Sequence, residues 1–257
     1  MSSNVAQGSS YDVVIVGAGI AGSALAHALS TSAAASPSRT TPLRVALLER
    51  SLAEPDRIVG ELLQPGGVAA LRALGLGSCL DGIDAIPVHG YAVLDAGATV
   101  HIPYPDGAEG RSFHHGRFVQ KLRACARAAP GVDLIEATAT ELIECPLTRR
   151  VVGVRARRRG AEHQESFCAG LVVVADGCFS NFRNAVVPDG SLAKLTVVRG
   201  HFVGAILEDV TLPIPKHGTV ALVKGHGPVL LYQIGEHDTR ILIDVKNPLP
   251  SNLKVSE

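Results

Sequence analysis

The stretch YDVVIVGAGIAG, from Tyr11 to Gly22, decides how the rest of the chain is read. Val13 to Val16 is a short, wholly apolar, β-branched run, the composition of a parallel strand buried on both faces. Gly17, Gly19 and Gly22 follow in G-x-G-x-x-G spacing, and an alanine-rich segment from about Ile20 to Leu29 reads as a helix. In such a unit Gly17 makes the tight turn, Gly19 lets a pyrophosphate approach the backbone, and Gly22 lets helix and strand come close. The helix N-terminus then offers unpaired N–H groups and partial positive charge to the phosphates. On the residues alone, a glycine turn that holds no ligand stands as the alternative.

The same stretch invites a membrane reading, because no charged residue occurs between Val13 and Ser38. The three glycines argue against it, since a spanning helix would be continuous. No other segment approaches a membrane span, and MSSNVAQGSS at the start lacks the basic and apolar regions of a secretory signal.

Working outward, Ser30 to Pro42 (STSAAASPSRTTP) reads as a surface loop or an extended helix end, and Arg44 to Glu49 as a second apolar strand ending on an acid. A carboxylate in that place accepts hydrogen bonds from adenosine ribose hydroxyls and disfavours a 2′-phosphate, so FAD or NAD fits better than NADP. The interval from Gly22 to Glu49 exceeds the usual spacing of about 20 residues, and the Ser30 to Pro42 segment accounts for the excess.

Apolar stripes predict helices over 66–76 and 116–129, then strands at 132–136, 139–145, 151–157 and 166–174. Short alternating strands at 201–207, 218–223, 228–234 and 239–245 follow, with the look of an antiparallel sheet. The expected architecture is α/β. Residues 1–10 form a disordered lead-in, 11–198 a Rossmann-like dinucleotide-binding domain with a β-excursion, and 199–257 a partial, unfinished sheet of a second domain.

Lys+Arg and Asp+Glu balance at 24 each, so no global basic field recruits nucleic acid or acidic lipid. Five scattered cysteines without a CxxC pair read as thiols in a reducing compartment, with no metal site. The adjacent pair His114-His115 is a poor metal site, because neighbouring residues project in different directions and no carboxylate cluster accompanies them. No nucleophile elbow is present.

Further blocks follow the glycine turn. Glu54 to Gly67 reads EPDRIVGELLQPGG, where Arg57 and the carboxylates are explained equally well by a solvated ion pair. Ile102 to Pro105 reads IPYP, Phe113 to Phe118 reads FHHGRF, and Val174 to Arg183 reads VADGCFSNFR. Asp176 fits a helix N-cap, Arg117 a surface arginine at a helix start, and Tyr91 with Gln64 an ordinary buried hydroxyl and its partner.

Together with Gly90-Tyr91, HFVG at 201–204, PVLLYQI at 228–234 and TRIL at 239–242, these blocks resemble the squalene epoxidase (squalene monooxygenase) family from Tyr11 to about Pro250. The resemblance implies FAD bound through Gly17, Gly19, Gly22, Glu49, Arg50, Arg57, Arg117 and Asp176, with Tyr91 and Gln64 in the substrate pocket. It implies epoxidation of squalene to 2,3-oxidosqualene in sterol biosynthesis, using O2 and electrons passed from NADPH by a separate reductase. The oxygen chemistry is then borne by the flavin, and no side chain is expected to act as a catalytic acid or base. Location at the endoplasmic reticulum membrane is also implied.

The family's later Gly-Asp-Ala motif has no counterpart, as no Gly-Asp pair occurs in the chain. A truncated fragment is therefore expected. A catalytically silent fragment and another FAD-dependent hydroxylase remain as alternatives.

Overall fold

Val14 and Ile15 are wholly inaccessible to solvent, as a strand covered on both faces requires. They belong to the first strand of a computed structural model that describes residues 9–34, 41–186 and 200–246. In chain order the elements begin with β1 (Ser9–Val16), α1 (Ile20–Ala34), β2 (Val45–Glu49), β3 (Leu62–Leu63) and α2 (Pro65–Ala73). Next come β4 (Ile86–Val88), β5 (Gly90–Asp95), β6 (Ala98–Pro103), β7 (Gly110–Ser112) and α3 (His115–Ala128). They end with β8 (Val132–Glu144), β9 (Val151–Arg158), β10 (Glu165–Val174), α4 (Arg183–Val186), β11 (Gly200–Glu208), β12 (Gly218–Leu222), β13 (Val229–Gln233) and β14 (Asp238–Lys246).

The chain divides into two units, Met1–Pro55 with Val119–Lys194, and Asp56–Phe118 with Leu195–Glu257. In the first unit β1 runs parallel to both β2 and β10, with Ile15 opposite Leu47 and Val173. β2 also pairs in parallel with β8. β8 and β10 continue into antiparallel pairing with β9, which closes the five strands into a ring. Period-2 alternation divides β1 between two cores. Val14 and Val16 face one built with Leu48, Val154, Phe167 and Phe182, and Val13 and Ile15 face another under Ala26 of α1 and Ala126 of α3.

The second unit holds a six-stranded sheet in the order β11-β14-β13-β12-β5-β6 and a small sheet β3-β7-β4. β5 joins β12 in parallel, with Tyr91 opposite Gly218. Ile58 and Leu62 cover Tyr232, Ile234 and Leu242.

Several expectations change. Residues 56–118 group with the second sheet instead of forming part of a continuous 11–198 block, because β5 and β6 extend that sheet beyond β12. The strand runs at 132–136 and 139–145 are one 13-residue strand, β8, with an irregularity between Ala139 and Glu141. The extended helix end is the alternative realised after Leu29, as α1 continues to Ala34 and its Ser30 hydroxyl donates to the Pro130 carbonyl at 2.6 Å. β1 begins at Ser9, and the rest of the expected lead-in lies outside the described residues. No helix among the described residues is long and apolar enough to cross a membrane.

Candidate functional site

Backbone geometry in the first unit closes two of the three glycines and leaves the third open. Gly17 has φ +101°, and a Cβ there would lie 2.5 Å from the Ala175 carbonyl oxygen and 2.8 Å from Asp176 Cα. A Cβ on Gly22 would run into the Gly17 carbonyl oxygen. At Gly19 nothing lies within 4 Å of the same construction. The turn is therefore sealed by its own backbone on two sides and open at the start of α1, where helix N–H groups lack intrahelical partners. That is the cradle a diphosphate requires.

Asp176 is brought to this turn by its main chain. β10 ends at Val174, the Ala175 N–H donates to the Val16 carbonyl at 2.7 Å, and Gly177 takes φ +85°. The helix N-cap explanation for Asp176 does not hold: α4 begins only at Arg183, after a turn in which the Ser180 hydroxyl accepts from the Phe182 N–H at 3.1 Å. Ser180 therefore orders the turn.

Glu49 ends β2 beside the glycines, with Oε2 accepting from the Ala18 N–H at 2.8 Å. Arg123, only 5% exposed, was missed in the sequence. Its Nε donates to the Ala18 carbonyl at 2.8 Å, one Nη donates to the Ala53 carbonyl at 3.0 Å, and the other lies 3.4 Å from Glu49 Oε2. Burial lowers the Arg123 pKa, and the Glu49 carboxylate opposes that shift. Gln120 adds a bond to the Leu52 carbonyl at 2.9 Å, while Glu136 accepts from the Leu52 N–H at 3.2 Å. Together these groups pin the loop after Glu49. The available signal was an arginine in the buried stripe of α3, between Val119 and Ala126. Arg50, next in the chain, is exposed.

The second unit brings Gln64 and Tyr91 together, the Gln64 amide donating to the Tyr91 hydroxyl. Gln64 is the N-cap of α2, with Pro65 opening the helix. The Tyr104 ring stands edge-on to Tyr91, with centroids 5.8 Å apart. Burial is the main cause raising the Tyr104 pKa, so its hydroxyl stays protonated. Arg117, in the first turn of α3, lies 3.7 Å from Asp84, and Arg57 is exposed. His114 meets Asp238 at 2.8 Å and His115 meets the Gly60 carbonyl at 3.0 Å, so the adjacent histidines face different partners.

One carboxylate of the EPDRIVGELL block is buried and paired with a distant arginine. Glu61 is 2% exposed and accepts two bonds from Arg240, at 2.9 and 2.7 Å, and one from the Tyr232 hydroxyl at 3.1 Å. Hydrogen bonding to Glu61 raises the Arg240 pKa. Tyr232 is raised by burial and then by the Glu61 charge.

This architecture is Rossmann-like and of the flavin monooxygenase type. The myxobacterial chondrochloren halogenase, a FAD-dependent halogenase, superposes with TM-score 0.74 at 20% identity, over 93% of this chain and 53% of that one. A probable FAD-dependent monooxygenase from Pseudomonas aeruginosa gives TM-score 0.70 at 19% identity, over 92% and 61%.

By sequence the chain is similar to squalene epoxidases over nearly all of its own length. The family model named squalene epoxidase matches residues 168–256. A squalene epoxidase of Aspergillus fumigatus is 48% identical over 93% of this chain and 48% of its own length. The squalene monooxygenase of Mus musculus is 40% identical over 95% and 41%. The chain thus spans about half the length of the curated relatives it matches.

Proposed function

We propose that this chain supplies the adenosine-diphosphate side of a FAD site and part of the substrate surface of an enzyme that epoxidises squalene to 2,3-oxidosqualene in sterol biosynthesis. The observation that carries the reading is the 48% identity over 93% of the chain, joined to a glycine turn that is open at Gly19 alone. Gly17, Gly19 and Gly22 shape the cradle, and Asp176 lies behind it. Glu49 accepts from the Ala18 N–H on one oxygen and only weakly from the Ser51 N–H, at 3.3 Å, on the other. That second oxygen is suited to a ribose hydroxyl. Arg50, in the same unit, is assigned to the cofactor's charged groups.

Bound FAD would supply the redox chemistry that activates O2, with electrons delivered from NADPH by a separate reductase. The protein's own tasks are to orient a long apolar substrate and to keep water away. Tyr91, Val93, Val100, Ile102, Val220 and Leu222 share one face of the six-stranded sheet by register. Val100, Ile102 and Leu222 are 54%, 48% and 50% exposed in this chain, an apolar surface suited to a polyene. Gln64 and Tyr91 add a polar point of orientation. Action at the endoplasmic reticulum membrane fits a substrate of that solubility.

The test is to titrate the chain with FAD, following flavin fluorescence, and then to assay squalene conversion with NADPH and a reductase. FAD uptake and appearance of 2,3-oxidosqualene are expected. Absence of uptake overturns the cofactor assignment, and uptake without the epoxide overturns the assignment of activity to this chain.

A further inference from the structure

On the sheet face opposite Tyr91, two imidazoles meet across a strand. His101 of β6 and His217, immediately before β12, place their Nε2 atoms 2.9 Å apart, with ring centroids at 4.8 Å. β5 separates the two strands, and their side chains can close over it because the positions it presents beneath them are Gly90 and Ala92. The register is specific: Ala92 lies opposite both His101 and Thr219. Thr219 is 2% exposed, and its hydroxyl has no partner.

The tautomers follow from the partners. Nδ1 of His217 faces the Pro215 carbonyl at 2.8 Å, so in the neutral ring it carries the proton and Nε2 bears a lone pair. The carbonyl also fixes the ring, as a supporting shell does for a metal-bound histidine. His101 must then donate through Nε2, and moving that proton to its own Nδ1 yields a second Nε2 lone pair without net proton release. Ligands at about 2.05 Å from an ion and at right angles to one another lie about 2.9 Å apart, the cis arrangement of tetragonal Cu2+ or Ni2+.

We propose that His101 and His217 form a two-histidine site for a divalent transition-metal ion of the copper or nickel type, with water completing the coordination and the Thr219 hydroxyl available to hold one such water. Among the described residues no group of three or more His, Cys, Asp or Glu has metal-binding geometry, so the protein supplies two ligands here. The ion ties β6 to β12 across β5, the strand that carries Tyr91.

The experiment titrates this chain with Cu2+, reading uptake by equilibrium dialysis and coordination by electron paramagnetic resonance. Expected are one strong site with couplings from two imidazole nitrogens, and a rise in Tm at saturation. His101→Asn, on an exposed edge strand, and His217→Ala should each weaken uptake about tenfold or more, with far-UV circular dichroism verifying the fold. His163→Ala, in an exposed turn, is the control and leaves uptake unchanged. The proposal is overturned if folded His101→Asn binds Cu2+ as tightly as the parent chain, if the spectrum lacks the two-nitrogen signature, or if the parent chain takes up no ion.

Discussion

Arg123 reaches Glu49 through the wall of the glycine turn. One Nη lies 3.4 Å from Glu49 Oε2 while the same guanidinium holds the carbonyls of Ala18 and Ala53. A buried cation thus fixes both the carboxylate and the loop that leaves it. Arg123→Met is expected to cost about 3 kcal/mol, since it strands a mostly buried carboxylate and two carbonyls. Urea unfolding measures this, and FAD affinity should fall in step as Glu49 loses its position.

The three glycines should separate into two classes. Gly22→Ala places a Cβ against the Gly17 carbonyl oxygen and should prevent close packing of α1 on β1. Gly19→Ala meets no protein atom within 4 Å, and its stability should stay within about 0.5 kcal/mol of the parent. Under the proposed FAD site its flavin affinity should nevertheless drop, because that open space is the one assigned to the diphosphate. Thermal melts and flavin titration of the two variants, read together, test this; equal effects on folding would contradict it.

Glu61 and Arg240 form a doubly hydrogen-bonded pair in the second unit, at 2% and 7% exposure. Arg240→Met leaves Glu61 buried without its cation and should cost about 3–5 kcal/mol. Replacing both, with Glu61→Leu and Arg240→Met, should recover much of that loss, because two desolvated charges are removed together. A double-mutant cycle in denaturant decides whether the coupling is real.

His237 provides a pH test on the surface. Its Nδ1 lies 2.7 Å from Asp209, and that hydrogen bond, followed by the Asp209 and Glu236 charges, raises its pKa. With a folded value above the unfolded one, the pair's contribution is fully present below the ordinary histidine pKa and is lost as pH rises through the raised value. The His237 ring resonances should titrate above those of an unperturbed histidine, and Asp209→Asn should bring them down. An unchanged midpoint in that variant would show that Asp209 is not the cause.

Much of the first unit was legible because its signals are local. A β-branched run, three spaced glycines and an acid ending the next strand each depend on neighbours only a few residues away. The same holds for β11 to β14, whose alternation and turn residues lie in short windows. Asp176 was flagged by its block, but its proposed cap was not realised, since a helix start depends on backbone geometry that Gly177 and Ser180 redirect.

Sequence by itself determined the glycine turn, the carboxylate at Glu49, the α/β class and the likeness to squalene epoxidases. Tertiary structure decided what lies far apart in the chain: Arg123 against Glu49, Glu61 against Arg240, β5 alongside β12 and His101 against His217. The physical reason is that periodicity and turn chemistry report on adjacent residues, whereas pairing between distant ones is set by strand order. Joining β5 in parallel to β12 draws 56–118 into the second unit and brings the two imidazoles together over Gly90 and Ala92.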